Sequence, residues 1–128
     1  MTSKQPESRN VLLYWDKSPP PPEIKAIQAR WHSLGNYSIW HYDFDSAVEY
    51  IGDRYSPDLL SLFKQCKIPA MQSDFFRVLW ILKEGGLYCD YNFMPRAAPD
   101  IMFNNNYELT CVRWPHGRIV NGIFRGDP

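Results

Sequence analysis

Asp74 and Arg77 lie three residues apart, and Asp90 and Asn92 lie two apart just beyond a Gly-Gly pair. On a helix, an Asp and an Arg at i and i+3 meet on the surface as a local ion pair worth about 0.2–0.5 kcal/mol. Set at the rim of a pocket, the same pair offers a planar fork of N–H donors beside a carboxylate that accepts hydroxyl protons, a combination suited to a sugar. Asp90 and Asn92 alternate with Tyr91 along a predicted strand, so they and Tyr88 project to one face. Two side-chain oxygens at that spacing suit a hard divalent cation, one directly and one directly or through water. Such a cation would stabilise the charge on a departing diphosphate. Asp-x-Asn is also ordinary turn chemistry, and both readings stand at this point.

The elements that must position these residues follow from periodicity and punctuation. Residues 10–15, NVLLYW, form a continuous apolar run of strand length, as expected for a strand covered on both faces. Asp16 to Pro22 is a stiff, proline-rich connector, and proline suits the first turn of a following helix. Ile24, Ile27, Trp31 and Leu34 recur at helical spacing before Gly35, and residues 37–42 read as a second strand. Asp45 or Ser46 could cap a short helix through Ile51, and Pro57 to Cys66 predicts another. A longer helix is expected from Ala70 to Glu84, ended by Gly85-Gly86. On it Met71, Phe75, Val78, Leu79 and Leu82 form one apolar arc at about 100° per residue. Phe76 and Trp80 form a second patch, so burial on two sides is expected. Strands are predicted over 87–91, 107–114 and 118–124. Strands alternate with helices early and cluster late, which points to a single α/β domain with a mixed sheet over residues 10–128, and a disordered tail over 1–9.

Composition narrows the function. The 128 residues carry 14 basic and 14 acidic side chains, so nothing draws the chain generally toward nucleic acid or an anionic membrane. No signal peptide and no transmembrane segment is visible in the sequence. Cys66, Cys89 and Cys111 are odd in number and far apart, which predicts free thiols and a cytoplasmic setting, in solution or peripheral to a membrane. The three histidines and three cysteines show no zinc-ligand spacing.

The run IPAMQSDFFRVLWILKEGGLYCDYNF over residues 68–93 resembles the sugar-binding region of DXD-containing glycosyltransferases. The family pattern is A-x-x-S-D-x-x-R, a helix, then G-G-x-Y-x-D-x-D. It occurs in polysaccharide and capsule glycosyltransferases, in the α-1,6-mannosyltransferase-like family and in the large clostridial glucosylating toxins. Ala70, Ser73, Asp74, Arg77, Gly85, Gly86, Tyr88 and Asp90 stand in register with it. Residues 11–15 with the prolines behind them, Trp31, residues 39–43, and residues 121–128 resemble other parts of the family more loosely. The resemblance implies a GT-A-type fold, a UDP- or GDP-sugar donor, a glycan or protein acceptor, and Mn2+ or Mg2+. By position, Asp74 and Arg77 would contact the donor sugar with Ser73 and Tyr88 in support. Asp90 would bind the metal, joined by Asn92, and Trp15 would line the base pocket by stacking. Asp90, Asp74 and Arg77 are the candidate catalytic residues, and related families retain anomeric configuration.

Two departures bear on activity. Asn92 replaces the second acid of the motif, removing one negative charge from the metal position. The family's domains also continue beyond the strand corresponding to residues 121–124, so a shortened domain is expected. A glycosyltransferase, a binding or assembly module that has lost the chemistry, and a plain α/β interaction domain are the three functions the sequence leaves in play.

Overall fold

A computed structural model describes residues 9–96, 98–113 and 115–128, with Asn121 described by its backbone alone. The tail expected over residues 1–9 lies outside the described residues as far as residue 8. Arg9 is placed, its Nη1 2.7 Å from Asp100 Oδ1.

The continuous apolar run at the start becomes β1 (Asn10–Tyr14), buried on both faces. Leu12 and Tyr14 point into one core, and Val11 and Leu13 into the other. The chain then forms α1 (Pro22–Ser33), β2 (Ser38–Tyr42), α2 (Phe44–Arg54), α3 (Pro57–Gln65), α4 (Pro69–Glu84), β3 (Gly86–Cys89), α5 (Asp100–Phe103), β4 (Leu109–Arg113) and β5 (Ile119–Gly126). The five strands make one mixed sheet in the order β2-β1-β3-β5-β4. β1 runs parallel to β2 and β3, whereas β5 is antiparallel to β3 and β4. Trp31 of α1 and Met102 and Phe103 of α5 cover one face of the sheet, and residues of α2, α3 and α4 cover the other. This is the α/β mixed-sheet architecture that alternating elements predict. Trp114, expected at the end of a strand, lies outside the described residues.

Local chemistry explains most boundaries. Pro22, Pro57 and Pro69 open their helices at positions where a missing N–H costs nothing. The cap of α2 is Asp43 rather than Asp45 or Ser46. Ser46 N–H donates to Asp43 Oδ1 at 2.8 Å and Asp43 N–H donates to Ser46 Oγ at 2.9 Å, a reciprocal capping box. Gly85 ends α4 with φ of 69°. At Gly86 a side chain has no room, since an added Cβ would stand 2.5 Å from the Asn10 carbonyl oxygen of β1.

The long helix α4 sits the other way round from its aliphatic arc. Met71, Val78 and Leu82 are each about half exposed, and only Leu79 of that arc is buried. The buried stripe is instead Ser73, Phe76, Arg77 and Trp80, at i, i+3, i+4 and i+7. Rings decide the matter: Phe76 and Trp80 pack among Tyr14, Tyr42, Tyr50 and Phe63, and each ring buries more area than an aliphatic side chain. The same rotation turns Ser73 and Arg77 inward, toward the ends of β1 and β3.

Candidate active site

β1 is flanked by β2 on one side and β3 on the other, so a crevice opens beyond the carboxyl ends of β1 and β3, where open α/β sheets bind ligands. A cavity of about 770 Å³ lies there, in the size range of small-molecule sites. Trp15, Ser73, Asp74, Arg77, Tyr88, Asp90 and Asn92, the seven candidates of the sequence, all line it. Tyr14, Asp16, Lys17 and Tyr91 line it as well.

Arg77 is the hub, 3% exposed beneath the cavity. Its Nε donates to the Ser73 carbonyl at 3.1 Å and its Nη2 to Ser73 Oγ at 2.9 Å. The same Nη2 lies 2.9 Å from Asp74 Oδ1 and 3.4 Å from Asp90 Oδ1. The guanidinium also stacks over the Tyr88 ring, 4.1 Å from its centre. One planar cation thus orients both carboxylates, while the Asp74 side chain stays 56% exposed and faces the opening. The i,i+3 ion pair and the ligand-facing carboxylate are therefore one arrangement.

Tyr88 completes the network. Its hydroxyl donates to Asp90 Oδ1 at 2.5 Å and lies 2.7 Å from Ser73 Oγ. Since the single Tyr88 proton goes to Asp90, Ser73 donates to Tyr88 and Arg77 donates to Ser73. Burial above all pushes the Tyr88 hydroxyl far above the ordinary tyrosine range; Arg77 opposes the shift and the bond to Asp90 adds to it. It therefore remains a donor at physiological pH. Cys89, one residue from Asp90, is no nucleophile: burial, then the Asp90 charge, push its thiol up to about 12.

Asp90 and Asn92 are not presented by strand alternation. β3 ends at Cys89, and the Phe93 N–H returns to the Asp90 carbonyl at 3.1 Å in a tight turn. The turn reading of Asp-x-Asn holds for the backbone, and both side chains still reach the cavity wall. The loop that follows is tied to α1: Gln28 Nε2 donates to Tyr91 OH at 2.8 Å, and Arg30 donates to the Pro95 and Arg96 carbonyls at 2.8 and 2.6 Å. Tyr91 meets Trp15 edge to face at 5.8 Å, which fixes one wall.

The donor set does not suit a divalent cation held by the protein alone. Such an ion needs several oxygens with free lone pairs. Asp90 Oδ1 already accepts from Tyr88 and faces the Arg77 cation, and Oδ2 packs against Gly122. Asn92 adds a neutral, exposed amide. Among the described residues no three His, Cys, Asp or Glu side chains are grouped to hold an ion.

Sequence reasoning passed over Asp16, Lys17 and Gly122. The first two stand immediately beyond β1, where the switch-point rule locates ligands, but the proline run after them drew the reading toward a connector. Gly122 had no signal, because the space it leaves depends on how β5 pairs with β3.

No curated protein and no solved structure matches the chain. Residues 21–108, more than half of it, match the family described as the glycosyltransferase sugar-binding region containing the DXD motif. With the motif residues gathered about one crevice of a GT-A-like sheet, the chain belongs to that glycosyltransferase family.

Proposed function

We propose that the chain binds a nucleotide-diphosphate sugar, a UDP- or GDP-sugar, in this crevice and transfers its sugar to a glycan or protein acceptor with retention of configuration. The observation that carries the reading is the single Arg77-centred network, which joins Ser73, Asp74, Tyr88 and Asp90 on the wall of one cavity. In this reading Asp74 and Asp90 accept hydrogen bonds from sugar hydroxyls, and Arg77 fixes their orientation from below. Trp15 offers its face to the nucleotide base. Catalysis then rests on positioning and on fixed charge around the breaking glycosidic bond. The family implies Mn2+ or Mg2+, but the donor set among the described residues does not fit an ion held by the protein alone. The three cysteines are unpaired, which supports a cytoplasmic setting. No helix among the described residues is long and apolar enough to cross a membrane.

A panel of UDP- and GDP-sugars tests the proposal, with sugar transfer, donor hydrolysis and product anomer read by NMR for the wild type and Asp74→Asn. Turnover by the wild type, lowered at least tenfold in the variant, is expected. The replacement of the second acid by Asn92, together with the engaged state of Asp90, favours one second reading: a degenerate nucleotide-sugar-binding or assembly module. Donor binding without any turnover would establish that reading over the first. Absence of donor binding would defeat both.

A further inference from the structure

Lys17 lies one residue past Asp16 on the connector that leaves β1, and it is exposed. It lines the main cavity and two neighbouring ones of about 270 and 540 Å³, so the three meet at its side chain. The main cavity is lined by three carboxylates, Asp16, Asp74 and Asp90, and by two cations, Lys17 and Arg77. Arg77 is committed to Ser73, Asp74, Asp90 and the Tyr88 ring. Lys17 differs: among the described residues no carboxylate lies within ion-pair distance of it. It also falls outside residues 21–108, the part that matches the family.

A diphosphate brings concentrated negative charge to a cavity whose own formal charge is negative, and some cation must accompany it. At the motif position Asp90 is engaged by Tyr88 and Arg77, and Asn92 carries no charge. A lysine on a flexible stem is a compact point charge that follows phosphate oxygens readily. We infer that in this chain Lys17, rather than a protein-held divalent cation, neutralises the diphosphate of the donor, so that nucleotide binding is independent of metal. The inference rests on the nucleotide-sugar reading proposed above and adds the residue that substitutes for the missing acid-bound charge. Being an exposed ammonium, Lys17 should also make binding weaken as salt is raised.

Calorimetry with UDP, GDP and inorganic pyrophosphate, each in EDTA and in Mn2+, tests this on wild type, Lys17→Ala and Lys17→Arg. Thermal unfolding of each variant without ligand serves as the folding control. The expected result is nucleotide binding that persists in EDTA, weakens about tenfold or more in Lys17→Ala, and returns to within about threefold in Lys17→Arg. Binding that disappears in EDTA overturns the inference and leaves the donor reading standing, as does binding in EDTA that Lys17→Ala leaves within twofold. Silence of UDP and GDP in both conditions, with pyrophosphate still bound through Lys17, sinks the donor reading and leaves an anion site. Silence of all three ligands removes both.

Discussion

Gly122 of β5 makes the space that the Asp90 carboxylate occupies: a Cβ added there would stand 2.5 Å from Asp90 Oδ2 and 3.0 Å from the Phe93 ring. The two residues are also joined through the backbone, since the Asp90 N–H donates to the Gly122 carbonyl at 2.7 Å. The Asp90 carboxylate is thus held from one side by Tyr88 and Arg77 and bounded on the other by a missing side chain.

Gly122→Ala should push Asp90 off its partners and destabilise the fold by about 1–3 kcal/mol, the usual range for overpacking. Gly52→Ala is the matched control. Gly52 lies inside α2, and its added Cβ would meet only Leu60 Cδ2, at 3.5 Å. That substitution should raise stability by about 0.4–1 kcal/mol, because alanine restricts the unfolded chain and favours helix. Urea midpoints for the two variants should move in opposite directions.

Tyr88→Phe removes the hydroxyl that joins Ser73 to Asp90 and keeps the ring under Arg77. Leaving buried partners short of a hydrogen bond costs about 1–3 kcal/mol. Since burial holds the Tyr88 hydroxyl protonated, the stability gap between wild type and variant should be flat from about pH 6 to 9. Chemical denaturation across that range measures it, and a gap that widens toward the alkaline end would show that Tyr88 ionises in the folded state before it does in the unfolded chain.

Much of the fold is legible in the sequence because its signals are local. The unbroken apolar run of β1 requires cover on both faces, and Pro69 and Gly85 mark where α4 begins and ends. The motif spacing then gathers Ser73, Asp74, Arg77, Tyr88 and Asp90 about one cavity. What escaped is set by tertiary contact. The facing of α4 is decided by an aromatic cluster drawn from five elements, so counting aliphatic positions on one helix selects the wrong side. The end of β3 is fixed by the turn back to Asp90, which alternation cannot register. α5 spans only Asp100–Phe103, too short for any period to show.

His32 of α1 and His41 of β2 stand with their Nε2 atoms 2.8 Å apart, so one ring must donate and the other accept. Burial first, and then the neighbouring His32, lower the pKa of His41 below the ordinary 6.5. The unfolded chain therefore takes up this proton before the folded one does. The contribution of His41 to stability is intact above about pH 6.5 and is lost as pH falls through the lower, folded value. Thermal unfolding between pH 7.5 and 5 should show the melting temperature of wild type falling more steeply than that of His41→Gln. Parallel curves would mean that the pair is not coupled to folding.

The orientation of α4 yields a direct contrast between its two faces. Val78 and Leu82 belong to the apolar arc visible in the sequence, yet both are about half exposed, whereas Trp80 is 1% exposed within the ring cluster. Val78→Lys and Leu82→Lys alter side chains that belong to neither core cluster and place a charge in water, so each should change stability by no more than about 0.5 kcal/mol. Trp80→Ala opens a large cavity between α4 and the sheet and should cost about 3–5 kcal/mol. Because Ser73 and Arg77 share the face of Trp80, that variant should weaken nucleotide binding as well, and the two lysine variants should leave it unchanged. Equilibrium denaturation paired with calorimetry reads both effects. A large loss in the lysine variants with a mild one in Trp80→Ala would place the aliphatic arc inside and turn Ser73 and Arg77 away from the cavity, which would dismantle the site as described.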